Sequence, residues 1–467
     1  MNRFLFAALA ASALATPIFA LAQRTPPPLP AAVSPEVERL RDAALTDDVA
    51  WTIVEGLTTE VGQRLAGTEA EARAREWAVA RLTALGFKNV RVEPYQMPVW
   101  ERGAESAEIL APFPQKLTLA ALGNSGATPA AGLTAEVAVF PSMAAFQAAP
   151  DDAIRGKIVY IGNAMPRTQD GAGYGAYGTA RFTGPALAAR RGALAIVIRS
   201  IGTDHHRFPH TGTTNFPQGV KPIPAAALSV PDAEQLERVA ARGRPVRMKL
   251  VLTPRMVGMR ESGNVIAEVP GSDPSAGIVL VGGHLDSWDL GTGAIDDASG
   301  LAITTAAAKR IMEAGTPRRT IRVVWFGAEE VGGMGGAAYA KAHAAERHAT
   351  ASESDFGADR IWRFQVNLPE EATPVADRLQ TALAPLGITR GSAPGGDGTD
   401  IGPTLQLGTA AIDLNQSGWD YFDTHHTPDD VLDRVALPAL RQNVAAWTAM
   451  LAVVANAPEP IDPVKPR

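Results

Sequence analysis

The chain has 467 residues, 46% of them hydrophobic, and a formal net charge of −6, which is too long for one ordinary domain and long enough to bury a sizeable core. With 20% charged residues and a mean hydropathy of -0.01 it is neither a disordered chain nor a polytopic membrane protein. Its mild acidity argues against a nucleic-acid partner.

In chain order, Met1-Asn2-Arg3 is a short basic start, Phe4 to Ala15 is apolar, and Ala20-Leu21-Ala22 places small residues before a cut. Residues 1–22 are therefore predicted to be a secretory signal peptide; Pro17 and the A-x-A pattern weigh against the alternative of an uncleaved anchor. A periplasmic or secreted protein without further membrane contact is implied, and a chain with no cysteine must then rely on its core or on bound metal instead of disulfides. Residues 23–33 form a proline-rich tether and 456–467 a proline-rich tail.

Ser34-Pro35-Glu36 signals a helix start. A second helix is predicted over Glu69 to Leu85 and a strand over Val90 to Tyr95. From about residue 110 to 255 the texture changes to short β-rich runs, Glu136 to Phe140, Lys157 to Ile161 and Ala193 to Ile198, with one helix at Gly184 to Arg191. Alternation then returns: apolar runs at Ile278 to Val281 and Ile321 to Phe326, helices over Gly300 to Ala314, Gly335 to His343 and Pro438 to Ala455. Strand and helix in alternation imply an α/β sheet flanked by helices. The predicted organisation is one α/β domain, begun by residues 34–110 and completed by 256–455, with a mainly β domain inserted over 111–255.

Polar residues concentrate where the apolar runs end. His284-Leu285-Asp286 closes one, followed by Asp296-Asp297-Ala298-Ser299-Gly300; Glu329-Glu330 closes the next; His425 and His426 stand among acids. Functional groups of open α/β sheets gather at the carboxyl ends of strands, so His284 is placed as a metal ligand. Asp286, two positions on, faces the same side and could accept the second imidazole N–H. One carboxylate of the Glu pair can bind metal while the other acts as a base on water. An isolated HxD is more often a surface pair and an EE more often solvated charge; their joint occurrence at strand ends points to a His/carboxylate metallohydrolase, zinc being the metal suited to those donors. Spacing alone does not say which residues share a metal.

These motifs, in this order, resemble the signature of the co-catalytic zinc aminopeptidase family, and the match looks closest to its carboxypeptidase Q (plasma glutamate carboxypeptidase) branch through Trp100-Glu101-Arg102-Gly103, Gly283 to Asp289 and Glu353-Ser354-Asp355. The resemblance covers nearly all of the mature chain. It implies a mixed α/β sheet flanked by helices with an inserted protease-associated domain, and two zinc ions bridged by Asp296. His284 and Asp355 would complete one ion, Glu330 and His426 the other. Glu329 would be the general base, Asp286 would orient His284, and His425 would steady the oxyanion. The peptide between Asp296 and Asp297 is similar to one that is cis in the family. Two ions about 4 Å apart would hold a hydroxide and polarise the scissile carbonyl.

The implied substrate is a dipeptide or short peptide with a free amino end, and a homodimer is compatible with the family. Alternatives on the same fold are a glutaminyl-cyclase-like enzyme with a single zinc and a non-catalytic peptide-binding protein; the protease-associated insert and the full ligand set argue against the first, and retention of Glu329 with all five ligands against the second. Gly336 stands where many relatives have serine, and the specificity loop matches only loosely, at Gly395 to Ile401. His205, His206 and His210 are expected to be structural loop residues, and His343 and His348 to lie at the surface. Trp288 is placed either to pack the wall of the site or to touch substrate.

Overall fold

A computed structural model describes residues 31–464; the signal peptide read at 1–22, most of the tether and residues 465–467 lie outside the described residues. Ser34 caps the helix Pro35–Ala44 by accepting the Val37 N–H, and Thr68 caps Glu69–Ala84 through Glu71. The first sheet has eight strands in the order Lys88–Glu101, Arg255–Val269, Thr320–Phe326, Ile278–His284, His348–Glu353, Ala410–Gln416, Ile361–Asn367, Thr389–Arg390. Its middle four run parallel, while Arg255–Val269 and Ile361–Asn367 join them antiparallel, so the sheet is mixed.

The apolar runs at Ile278 and Ile321 are continuous because both faces of these strands are covered. Val279, Val281, Val323 and Trp325 pack on one side with the helices Ser299–Ala314 and Leu437–Val454. Leu280, Val324 and Phe326 pack on the other with Tyr339 of the helix Met334–Ala342 and with Ile401.

Between the first two strands of that order the chain builds a second eight-stranded sheet, from Glu105 to Leu252. Leu133–Phe140, Ile158–Ile161, Ala195–Arg199 and Ala225–Leu228 pair in parallel within it. Besides Gly184–Arg190, this segment contains the helices Met143–Ala148, Tyr174–Phe182 and Val230–Ala240, more helix than its β-rich texture predicts. Val159, Ile161, Ile196 and Ile198 from this sheet belong to the same apolar cluster as Val279 and Trp325, so the two sheets share a core. Among the described residues no helix is long and apolar enough to cross a membrane.

Candidate metal centre

The parallel strands end level with one another, His284 beside Phe326 and Gly282 beside Glu353. The loops leaving these strands therefore emerge along one carboxyl edge, where such sheets leave a crevice. Asp296 lies just before the helix Ser299–Ala314, Glu329 and Glu330 come after Phe326, Asp355 after Glu353, and His425 and His426 after the short helix Tyr421–Thr424.

Asp296 is central. Its Oδ1 lies 3.0 Å from His284 Nε2, and Asp355 Oδ1 lies 3.4 Å from the same nitrogen. Its Oδ2 faces the other way, 3.3 Å from His426 Nε2 and 3.5 Å from His425 Nε2, while Glu330 Oε2 is 3.0 Å from His426 Nε2. Two sets, His284 with Asp296 and Asp355, and Asp296 with His425 and His426, each bring their ligand atoms within 4.8 Å of one another. His425, assigned by the resemblance to the oxyanion, thus aims its Nε2 at the same carboxylate oxygen as His426.

The loops that carry these groups are braced by buried side chains. Asp297 bridges the strand end to the helix start, accepting the N–H of His284 and of Gly300, both at 3.0 Å; the Asp296–Asp297 peptide is cis. Gly300 has no room for a side chain, because a Cβ there would lie 1.8 Å from the Ser354 carbonyl. Asp430 accepts the N–H groups of Ala294 and Ile295, each at 2.8 Å. Fully buried Arg64 donates to the carbonyls of Leu285, Thr292 and Gly293. Neither Arg64 nor Asp430 is singled out by the sequence; the only signal is that Asp430 stands four residues beyond His426.

Burial alone would raise the Asp296 carboxyl, but its hydrogen bonds with His284 and His426 outweigh burial and hold it well below the usual range. Burial pushes its neighbours up: Glu329 and Glu330 are raised, and Asp355 is raised to about 6. Burial and the adjacent His426 hold His425 well below the usual imidazole range. More carboxylate is gathered here than the histidines can neutralise, and a bound cation would relieve that imbalance. Glu330 Oε1 is buried without a hydrogen-bond partner, as a ligand atom for a metal would be. Imidazole nitrogen with carboxylate oxygen is a donor set that fits zinc.

The centre opens on a cavity of about 440 Å³ lined on one side by Glu329 and Thr399 and on the other by Tyr174, Arg181, Phe182 and Asn215 from the second-sheet segment. These segment residues sit in Gly-rich or loop-like sequence and carry no motif.

Several expectations need correction. The carboxylate of Asp286 does not take the His284 N–H: Nδ1 lies 2.9 Å from the Asp286 backbone carbonyl, and the carboxylate instead accepts the backbone N–H of Glu329 at 3.1 Å and of Glu330 at 3.3 Å. An HxD turn too tight for side chain to reach side chain still lets the main chain do so. His343 and His348 are buried, not at the surface, His343 reaching Glu93 and His348 the Tyr339 hydroxyl. Trp288 is 3% exposed and packs beside His426, as part of the wall. Arg102 of the Trp100 to Gly103 motif holds Asp289 through two hydrogen bonds, tying the start of the second-sheet segment to the loop beyond His284.

The sequence model of peptidase family M28 matches residues 264–451. Carboxypeptidase Q of Bos taurus is 36% identical over 406 residues, covering 86% of this chain and 84% of the bovine protein. The crystal structure of a peptidase M28 precursor from Shewanella amazonensis matches with a TM-score of 0.90 at 45% identity, over 92% of this chain and 98% of that one. A zinc aminopeptidase of Bacillus subtilis shares the fold with a TM-score of 0.64 at 19% identity, over 89% of this chain and 97% of that one. A mixed sheet with imidazole and carboxylate groups at its carboxyl edge, together with full-length relatives of this kind, means that the chain belongs to peptidase family M28 and is a metallo-exopeptidase.

Proposed function

We propose that the centre holds two zinc ions and that the chain is an exported exopeptidase acting on dipeptides or short peptides. The observation that carries this reading is the division of Asp296, one carboxylate oxygen at His284 and the other at His426. His284, Asp296 and Asp355 would hold one ion; Asp296, Glu330 and His426 would hold the other. Bound zinc would supply Lewis-acid polarisation of the scissile carbonyl and an attacking water of lowered pKa.

Glu329 would take the proton from that water and return it to the leaving amine nitrogen, so that the peptide bond breaks with no net change in the enzyme's protonation. It suits the task because it is half-buried at the cavity and its backbone is held by Asp286. His425, stacked on His426 and edged by Tyr174, would donate to the carbonyl oxygen as it gains charge. Carboxylates around the cavity would attract a free ammonium end, and the wall contributed by the second-sheet segment would favour short substrates. We read that segment as an inserted protease-associated module and residues 1–22 as the leader that exports the enzyme.

The test is metal analysis of the mature protein alongside hydrolysis of a dipeptide panel, comparing wild type with Glu329→Gln. About two zinc ions per chain, with activity lost in the variant and metal kept, is the expected result; a wild type that hydrolyses no dipeptide or peptide would sink the reading.

A further inference from the structure

Besides Tyr174 and Arg181, which touch His425 and His426 from the helix Tyr174–Phe182, the second-sheet segment meets the metal centre through the stretch Ser200 to Gly212. Thr211 lies alongside His426: its N–H donates to the His426 carbonyl at 3.0 Å, and its own carbonyl accepts from His426 Nδ1 at 3.3 Å. His210, one residue earlier, does the same for the neighbouring residue, its Nδ1 donating to the His425 carbonyl at 2.7 Å. Its other ring nitrogen is used by Asp204, 2.8 Å away, so both nitrogens face acceptors. The side chains of Asp204 and His210 are completely buried, and a Cβ at Gly202 would lie 2.3 Å from His210 Nε2. Nothing here is a surface contact.

His426 has a positive φ of 61°, a conformation few residues other than glycine adopt without external support. Its peptide is held in that shape by the Thr211 N–H and by the grip of His210 on the preceding carbonyl. A ligating imidazole also needs its second nitrogen fixed, so that the other presents its lone pair to the metal. For His426 the Thr211 carbonyl is the acceptor in reach of Nδ1, with the Arg181 guanidinium 3.4 Å from the same nitrogen and donating to the same carbonyl, whereas His284 takes the equivalent bond from Asp286 in its own loop. The two halves of the centre therefore differ in where their support comes from.

We infer that Asp204, His210 and Thr211 form a positioning element for the His426 half of the metal centre, which makes the inserted segment a constituent of that half and not only a cover over the cleft. The inference rests on the dinuclear reading above. His210 touches neither substrate nor metal; it acts through His425 and His426.

Zinc titration of the full mature chain against a competing chelator, in wild type, His210→Phe, His210→Gln and Asp204→Asn, tests it. Wild type should bind two ions. His210→Phe should weaken one of them about 10- to 100-fold and leave the other unchanged; His210→Gln, which keeps a donor for the His425 carbonyl, should recover part of the loss, and Asp204→Asn should show a smaller loss in the same direction. Absorption spectra of the cobalt-loaded proteins should change for one ion only. Variants that melt at lower temperature in the metal-free state yet bind both ions as wild type does would overturn the inference, as would equal weakening of both ions. Should His210→Phe fail to fold, the two milder variants decide. A wild type that binds fewer than two ions defeats the dinuclear reading itself, and the inference with it.

Discussion

The backbone carbonyl of Asp286 lies 2.9 Å from Nδ1 of His284, while the Asp286 carboxylate Oδ1 lies 3.8 Å from the same atom. The imidazole is thus oriented by main chain, and the buried carboxylate is left to brace the peptides of Glu329 and Glu330. Asp286→Ala should therefore lower kcat about 10- to 100-fold with the metal content unchanged. Loss of one ion from the variant, measured by metal analysis, would show that the carboxylate does support His284.

Glu329→Gln keeps the shape of the side chain and removes its basicity. The expected loss is about 10² to 10⁴ in kcat, with KM close to wild type. A variant retaining most of its activity would assign the proton transfer to another group.

Asp296→Asn removes the charge shared between the two halves and should reduce the bound zinc below two ions per chain. Stripping metal from the wild type with a chelator should lower the melting temperature, because an ion present at about 1,000 times its Kd stabilises the fold by about 4 kcal/mol. Unchanged zinc content in the variant would place the bridging role elsewhere.

Gly336 is packed against the main chain, where a Cβ would lie 2.3 Å from the Asp400 carbonyl oxygen. Gly336→Ser should destabilise by about 1–3 kcal/mol through overpacking. Urea unfolding of the metal-free proteins would measure it, and an unchanged midpoint would show that the Asp400 loop yields freely.

Glu71 is buried beside Arg75 and Ser262, and burial raises its carboxyl to about 7. A carboxyl raised on folding holds its proton in the native state at pH values where the unfolded chain has released it. Its contribution is therefore complete below the unfolded value near 4.5 and declines as pH rises to about 7, by about 3 kcal/mol over that window. Glu71→Gln should flatten this part of the stability curve, and a variant whose stability still falls as steeply between those values would exonerate Glu71.

The strands Ile278–His284 and Thr320–Phe326 were readable because their apolar runs are short, continuous and followed at once by polar clusters, which drew attention to His284 and to the Glu329–Glu330 pair; the grouping of Asp296, Glu330 and His426 around metal came only from the family resemblance. The strand Arg255–Val269 was not, since its outer half is exposed and follows no alternation. The helix Tyr174–Phe182 was hidden by two glycines and forms where Tyr174 can stack on Phe422, a contact about which local sequence says nothing. Arg64 braces a carbonyl 221 residues away. His343 and His348 looked like surface residues because they lie on or just after a helix; here they enclose Tyr339 and the buried Arg322.

The strand Lys88–Glu101 ends where the second-sheet segment begins, and Arg255–Val269 starts where that segment ends, with Glu101 paired to Arg255. Within the segment, Glu105 pairs with Leu252, only a few residues from the same point. Bringing two distant stretches of chain together costs entropy before their contacts can repay it. Once the segment has folded on itself, its ends are already side by side and the long edge pair closes almost as a hairpin would. The segment thus acts as a clasp: with its own ends side by side, the two outer strands of the other sheet meet in register.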